Sequence, residues 1–246
     1  MVVLTAMCAS VYAAVLIPFM VVPLIPGVTH FRPANALPVV CSFLFGPAAV
    51  WGAAIGNLIG DFFAGIGPGN LFGFLGNFLY ALVPYRLWRA CTVGDPLPAT
   101  AGAWALFFAI LATASLLCAA TVGFGLHILG FVPFAVLGNV VLTNNLITSA
   151  VLAPLLLRVL YPRVERARLL YTQVLGLEPQ ARQSGVRRAA GVALAVGGTV
   201  WAFAAANLVS TGWLAPAALA DLPANGRFAL LVVPGLALAA LGLVLL

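Results

Sequence analysis

Charge is what this 246-residue chain lacks most: 7% of its residues are charged and 64% are hydrophobic. A soluble domain carries roughly 25% charged and 45–50% apolar residues. So few polar side chains cannot cover a water-facing surface, which excludes a soluble enzyme, a disordered tail and a nucleic-acid binder. Lysine is absent; all eleven basic residues are Arg, and with five acids the formal net charge is +6. The four cysteines, Cys8, Cys41, Cys91 and Cys118, show no CxxC spacing. They read as small buried hydrophobes, with no metal site or disulfide expected. HExxH, Gly-x-Ser-x-Gly, a P-loop and paired carboxylates are also missing. Without a nucleophile–base set no enzymatic activity and no cofactor is expected. Without a P-loop, any ATP-driven work falls to a partner.

What is present is apolar length. A bilayer-spanning helix needs roughly 20 apolar residues, and the chain has room for six to eight such segments. The first run, 1–25, lacks a basic n-region and a cleavage site, so it reads as a retained helix that stops at Pro23–Leu24–Ile25–Pro26–Gly27. A short polar link, Thr29–His30–Phe31–Arg32–Pro33, follows. Gly46–Pro47 divides the next uncharged stretch into helices at about 35–46 and 48–62. Further helices are expected at about 71–89, 100–123, 132–157, 189–209 and 228–246, with breaks at Asp95–Pro96 and within Gly123–Gly130. Residues 158–188 hold most of the charge and read as a basic cytosolic linker, partly helical along the membrane surface.

Orientation follows from arginine in the loops. With the N-terminus inside, nine arginines (86, 89, 158, 163, 166, 168, 182, 187 and 188) fall inside and only Arg32 and Arg227 outside. The expected protein is all-α and integral to the cell membrane, with both termini cytoplasmic. It has a six-helix core (1–162), a linker (163–188) and two additional C-terminal helices (189–246).

Polar residues within apolar helices are costly and therefore informative. Asn57, Asn77 and Asn139 fall four to seven residues below the outer ends of three helices, about 6–10 Å deep at 1.5 Å per residue. Asn35, Asp61, Asn70 and His127 lie above them, and the first outer loop adds His30 and Arg32. Together these nine residues are the candidates for an outward-facing pocket that takes a small polar molecule. Interhelical hydrogen bonding is the competing reading, and it is the expected role of Asn144 and Asn145 nearer mid-membrane. Gly52, Gly56 and Gly60, four apart, suit close helix packing. On the first helix Ala9 and Ala13, flanked by Ala6, Ser10 and Ala14, form a flat small-residue face free to meet another protein.

Three stretches carry a family resemblance. They are Phe31–Arg32–Pro33–Ala34–Asn35–Ala36–Leu37–Pro38, Phe43–Leu44–Phe45–Gly46–Pro47 and Gly56–Asn57–Leu58–Ile59–Gly60–Asp61. With Phe74–Leu75–Gly76–Asn77–Phe78–Leu79 and Pro154–Leu155–Leu156, they resemble the substrate-binding S components of energy-coupling factor (ECF) vitamin transporters over residues 1–162. That resemblance implies a membrane subunit that binds a micronutrient in an outer pocket lidded by loops. It would dock on a transmembrane T component driven by two cytosolic ATPase subunits, and topple to deliver its substrate. It also implies docking through small residues of the first helix, matched here by Ala6, Ala9 and Ala13. Amides, one Asp and a His/Arg loop suit a polar heterocycle such as a queuosine precursor or another purine-like or pyrimidine-like compound. A non-transport scaffold and a self-sufficient secondary transporter are the alternative classes; the scarcity of membrane acids argues against proton coupling.

Overall fold

The computed structural model describes residues 1–26, 28–92, 97–176 and 185–246. Helix α1 (Val2–Leu16) ends sooner than expected, because Pro18 opens a 3-10 turn over Ile17–Val21. The link beyond it is ordered as a hairpin: β1 (Pro23–Ile25) pairs antiparallel with β2 (Thr29–His30). A 3-10 turn over Pro33–Asn35 leads into α2 (Ala36–Phe45). Gly46 then turns the chain at φ +52°, ψ −121°, a conformation for glycine alone, and Pro47 starts α3 (Pro47–Ala64). After it come α4 (Gly69–Cys91), α5 (Ala101–Ile128) and α6 (Phe134–Arg166). The chain ends with α7 (Tyr171–Val174), α8 (Gly185–Ser210) and α9 (Ala224–Leu245).

Five stretches are long and apolar enough to cross a bilayer: Val2–Val21, Ala101–Ile128, Phe134–Val174, Gly185–Ser210 and Ala224–Leu245. Helices α3 and α4 have 18 and 23 residues, but Asn57, Asp61, Asn70 and Asn77 on them make them more polar. The protein is an all-α membrane protein. Helix α2 is the exception in length: its ten residues are almost all buried, and it sits among α1, α3, α4 and α6.

Since lipid offers no hydrophobic drive between helices, close packing holds the bundle together. Phe43 packs edge-on to Trp88 and tilted against Phe107, both at 5.3 Å between ring centroids. Helix α1 lies flat on α3: a Cβ added at Gly52 would sit 2.5 Å from Cys8 Cβ, and one at Gly56 2.8 Å from the Ala9 carbonyl oxygen. This corrects the docking assignment for two residues. Ala9 and Ala13 are 3% and 4% exposed, because the glycine face of α3 takes the small face of α1. The small residues that α1 turns outward are Ala6, Ser10 and Ala14.

The basic linker also differs from expectation. Helix α6 continues to Arg166, and the chain then folds back on the core with Leu170 and Tyr171 buried. The Tyr171 ring lies over Gly46, where any Cβ would come within 2.8 Å of it. It also meets Tyr85 edge-on at 5.5 Å, and the Arg89 guanidinium sits 5.9 Å from its centroid. Expectations for Asp95–Pro96, Glu178 and Arg182 fall outside the described residues.

The pairings separate the two ends of the bundle. The hairpin, the α3–α4 loop and the α5–α6 turn gather at one end. The α2–α3 break, α7 and Arg89 gather at the other.

Candidate functional site

Between the hairpin and the long helices lies a space that gathers polar side chains. A cavity of about 610 Å³ lies between the 22–32 hairpin, α3, the α3–α4 loop, α4, α5 and α6. That volume is within the roughly 300–1,000 Å³ of small-molecule sites. Seven of the nine candidates line it: His30, Arg32, Asn35, Asn57, Asp61, Asn70 and Asn77. Asn144 and Asn145 line it too, where helix packing alone was expected.

Most of these side chains are held by a neighbour. Arg32, at the end of the hairpin, donates from Nη1 to Asn57 Oδ1 at 2.9 Å, and its backbone N–H reaches Asn144 Oδ1 at 3.4 Å. Asn57 donates to Asp61 Oδ2 at 2.9 Å, one helical turn further on. Arginine, amide and carboxylate thus form a continuous line up one wall. Asn57 is only 1% exposed, so both of its bonds are shielded from lipid and bulk water. Asn70 caps the α3–α4 loop by accepting from the Gly67 N–H.

The floor is a second network. The Tyr12 hydroxyl lies 2.9 Å from Asn35 Oδ1 and 3.0 Å from Asn77 Oδ1, and donates between them. Asn35 donates to Asn145, Asn77 donates to the Gly73 carbonyl at 2.9 Å, and Ser149 donates to the Asn35 carbonyl at 3.2 Å. Tyr80 bonds to Ser149. Sequence reasoning missed Tyr12 and Tyr80, since a tyrosine inside an apolar run gives no sign that its hydroxyl is in use. Most buried polar groups are satisfied, which makes the exceptions useful. His30 Nδ1 and Arg32 Nε are buried without a hydrogen-bond partner, and both residues line the cavity. Burial, and next the Arg32 charge, push the His30 imidazole below its ordinary value of 6.5.

The structure takes two candidates out of the pocket. His127 Nδ1 accepts from the Phe134 backbone N–H at 3.1 Å, and its ring packs 4.0 Å from that of Phe228. Asn139 donates to Asn207 Oδ1 on α8 and to the Ala135 carbonyl, both at 2.7 Å. It faces a separate apolar groove with Leu24, Phe31 and Ile147. Both residues lie on helices that line the cavity, but on sides turned away from it.

Within the described residues no three His, Cys, Asp or Glu side chains converge as a metal site. What the cavity offers is recognition: six amides able to donate and accept, one guanidinium, one carboxylate and one imidazole around a small volume. No curated protein and no solved structure matches the chain. Residues 2–162, which contain every lining residue of this cavity, match the QueT transporter family, and the chain belongs to that family of membrane S components.

Proposed function

We propose that this chain is the substrate-binding subunit of an ECF transporter and captures a queuosine precursor, or a closely similar purine-like base, in the cavity beneath the 22–32 hairpin. The observation that carries the reading is the pair of buried, unpartnered nitrogens, His30 Nδ1 and Arg32 Nε, at the wall of a cavity of about 610 Å³ lined by six amides. A heterocycle with carbonyl and ring-nitrogen edges supplies the acceptors that the protein does not. Asp61 and the Asn oxygens take the exocyclic and ring N–H groups. The cavity end faces outside the cell and the Arg-rich end the cytoplasm, with both termini inside. Ala6, Ser10 and Ala14 on α1 meet the T component, which two cytosolic ATPases drive; small side chains let helix backbones approach closely.

The test is mass spectrometry of small molecules that stay with the purified protein, followed by affinity and melting measurements on Asn57→Ala and Asn77→Ala. Retention of a queuosine precursor, with weakened binding in both variants at near-native melting temperature, supports the assignment. Unchanged affinity in both removes the cavity as the binding site.

A further inference from the structure

The two helices beyond the family core pack along α4, α5 and α6, and one of these contacts lies directly behind the cavity wall. Leu126 at the end of α5, Phe131 in the α5–α6 turn and Leu137 on α6 line the cavity. Leu126 and Phe131 also close over Gly69 at the α3–α4 loop, within about 3.7 Å of a Cβ position there. This turn is therefore part of the rim of the pocket.

The back of the same turn belongs to α8 and α9. Phe228, 1% exposed, stacks against Phe124 at 5.9 Å, packs on Phe134 at 6.0 Å and touches the His127 ring at 4.0 Å. Phe203 meets Phe134 at 5.5 Å. Polar contacts bracket these rings. Asn207 accepts from Asn139 at 2.7 Å, Ser210 Oγ accepts from the Ala135 N–H at 3.1 Å, and Asn225 donates to the Ile128 carbonyl at 3.4 Å. These last two hold backbone groups at an exposed helix end and a helix start, where the intrahelical ladder leaves such groups free.

We propose that α8 and α9 are a brace that sets the position of the α5–α6 rim, with Asn207 and Phe228 as positioning residues for substrate binding. His127 and Asn139 are the core's half of this joint, which is why polar residues stand at pocket depth without facing the pocket. The consequence for binding rests on the cavity being the substrate site; the mechanical claim does not. Interhelical hydrogen bonds and close aromatic packing fix one helix end against another. A rim held from behind keeps its apolar side chains over the pocket without help from the ligand, which lowers the ordering cost of binding.

The experiment places nitroxide labels at Ile66 and Leu129, both on exposed parts of the rim, in the full chain with its four cysteines replaced. Distances are measured by pulsed electron paramagnetic resonance without ligand, and affinity for a queuosine precursor is measured on the same samples. Asn207→Leu and Phe228→Ala should broaden the Ile66–Leu129 distance distribution. They should also weaken binding about 2- to 30-fold, the span of coupling carried through packed residues. Arg187→Ala is the control. It removes a bond to the Leu245 carbonyl at the start of α8 and the end of α9, so it loosens the extension away from the joint and should leave distance and affinity unchanged. Asn207→Leu keeps the proposal testable if Phe228→Ala fails to fold. An unchanged distribution in Asn207→Leu and every folded variant overturns the brace, as does equal affinity beside a broadened one. Wild-type protein that binds no queuosine precursor instead overturns the site assignment, while the distances still decide the brace.

Discussion

Replacing Arg32 with Met keeps most of the apolar stem and removes the guanidinium. Two losses follow from the geometry. The 2.9 Å bond to Asn57 Oδ1 disappears, and so does the Nε donor that has no partner in the protein. A hydrogen bond to a charged group contributes about 1.5–3 kcal/mol. For a ligand that accepts from Nε, this is roughly a 10- to 150-fold loss of affinity at about 1.4 kcal/mol per decade. The fold should suffer less, because Asn57 keeps its bond to Asp61. Arg32→Lys separates charge from shape. It retains the cation but not the planar fork, so its affinity should fall between wild type and Met. The assay is equilibrium binding of a queuosine precursor to protein in lipid nanodiscs, with melting temperature recorded alongside. Affinity of Arg32→Met within about twofold of wild type, at unchanged melting temperature, would refute the role of the guanidinium and with it the reading of the unpartnered Nε.

Further outcomes are expected. His30 is held neutral by burial and the Arg32 charge. Its stabilising contribution is therefore complete above the ordinary pKa of 6.5 and is lost as pH falls through the lowered native value. Thermal scans below pH 6.5 should fall more steeply for wild type than for His30→Gln. Trp at Ala6 or Ser10, which face outward, should abolish uptake by cells and spare ligand binding. Trp at Ala9 or Ala13 should instead prevent folding, since α3 fills that space; normal uptake by both outward variants would move the docking face elsewhere. Gly46→Ala forces a side chain into a glycine-only conformation and against Tyr171, and should cost about 1–3 kcal/mol, read as a lower midpoint in chemical denaturation. An impermeant thiol reagent applied to intact cells should label Gly67→Cys but not Ser184→Cys; the reverse pattern would invert the topology.

Much of the fold is visible in the chain because breaks in a membrane helix need particular residues. Gly46–Pro47 stops one helix and starts the next, and Arg86 and Arg89 fall in the last two turns of α4; Arg158 marks no such end, because α6 runs past it to Arg166. The pocket is visible for a related reason: an amide or carboxylate in an apolar run is rare enough to demand a partner. Azimuth is what stayed hidden. Asn139 and Asn144 are five residues apart on α6, about 140° around a helix of 3.6 residues per turn, so one faces α8 and the other the cavity. Depth alone ranked them the wrong way round. On α1 the difficulty is sharper. Every face is apolar or small, so nothing in the pattern told Ala9–Ala13 from Ala6–Ser10, and only the glycines of α3 decide which is covered. Tyr12 was invisible because its ring satisfies the apolar pattern and its hydroxyl works unseen.

The short α2 helix carries one more consequence. Ten residues rise about 15 Å, half of a hydrocarbon layer about 30 Å thick, and α2 stands at the centre of the core bundle rather than at its edge. Above it, where neighbouring helices continue, the column is completed by a thin hairpin and by the cavity. In the orientation proposed above, α2 fills the inner half of the column and the cavity occupies the outer half. A heterocycle bound there as proposed would complete the column, so loading would alter how the whole subunit fits the bilayer as well as what it carries.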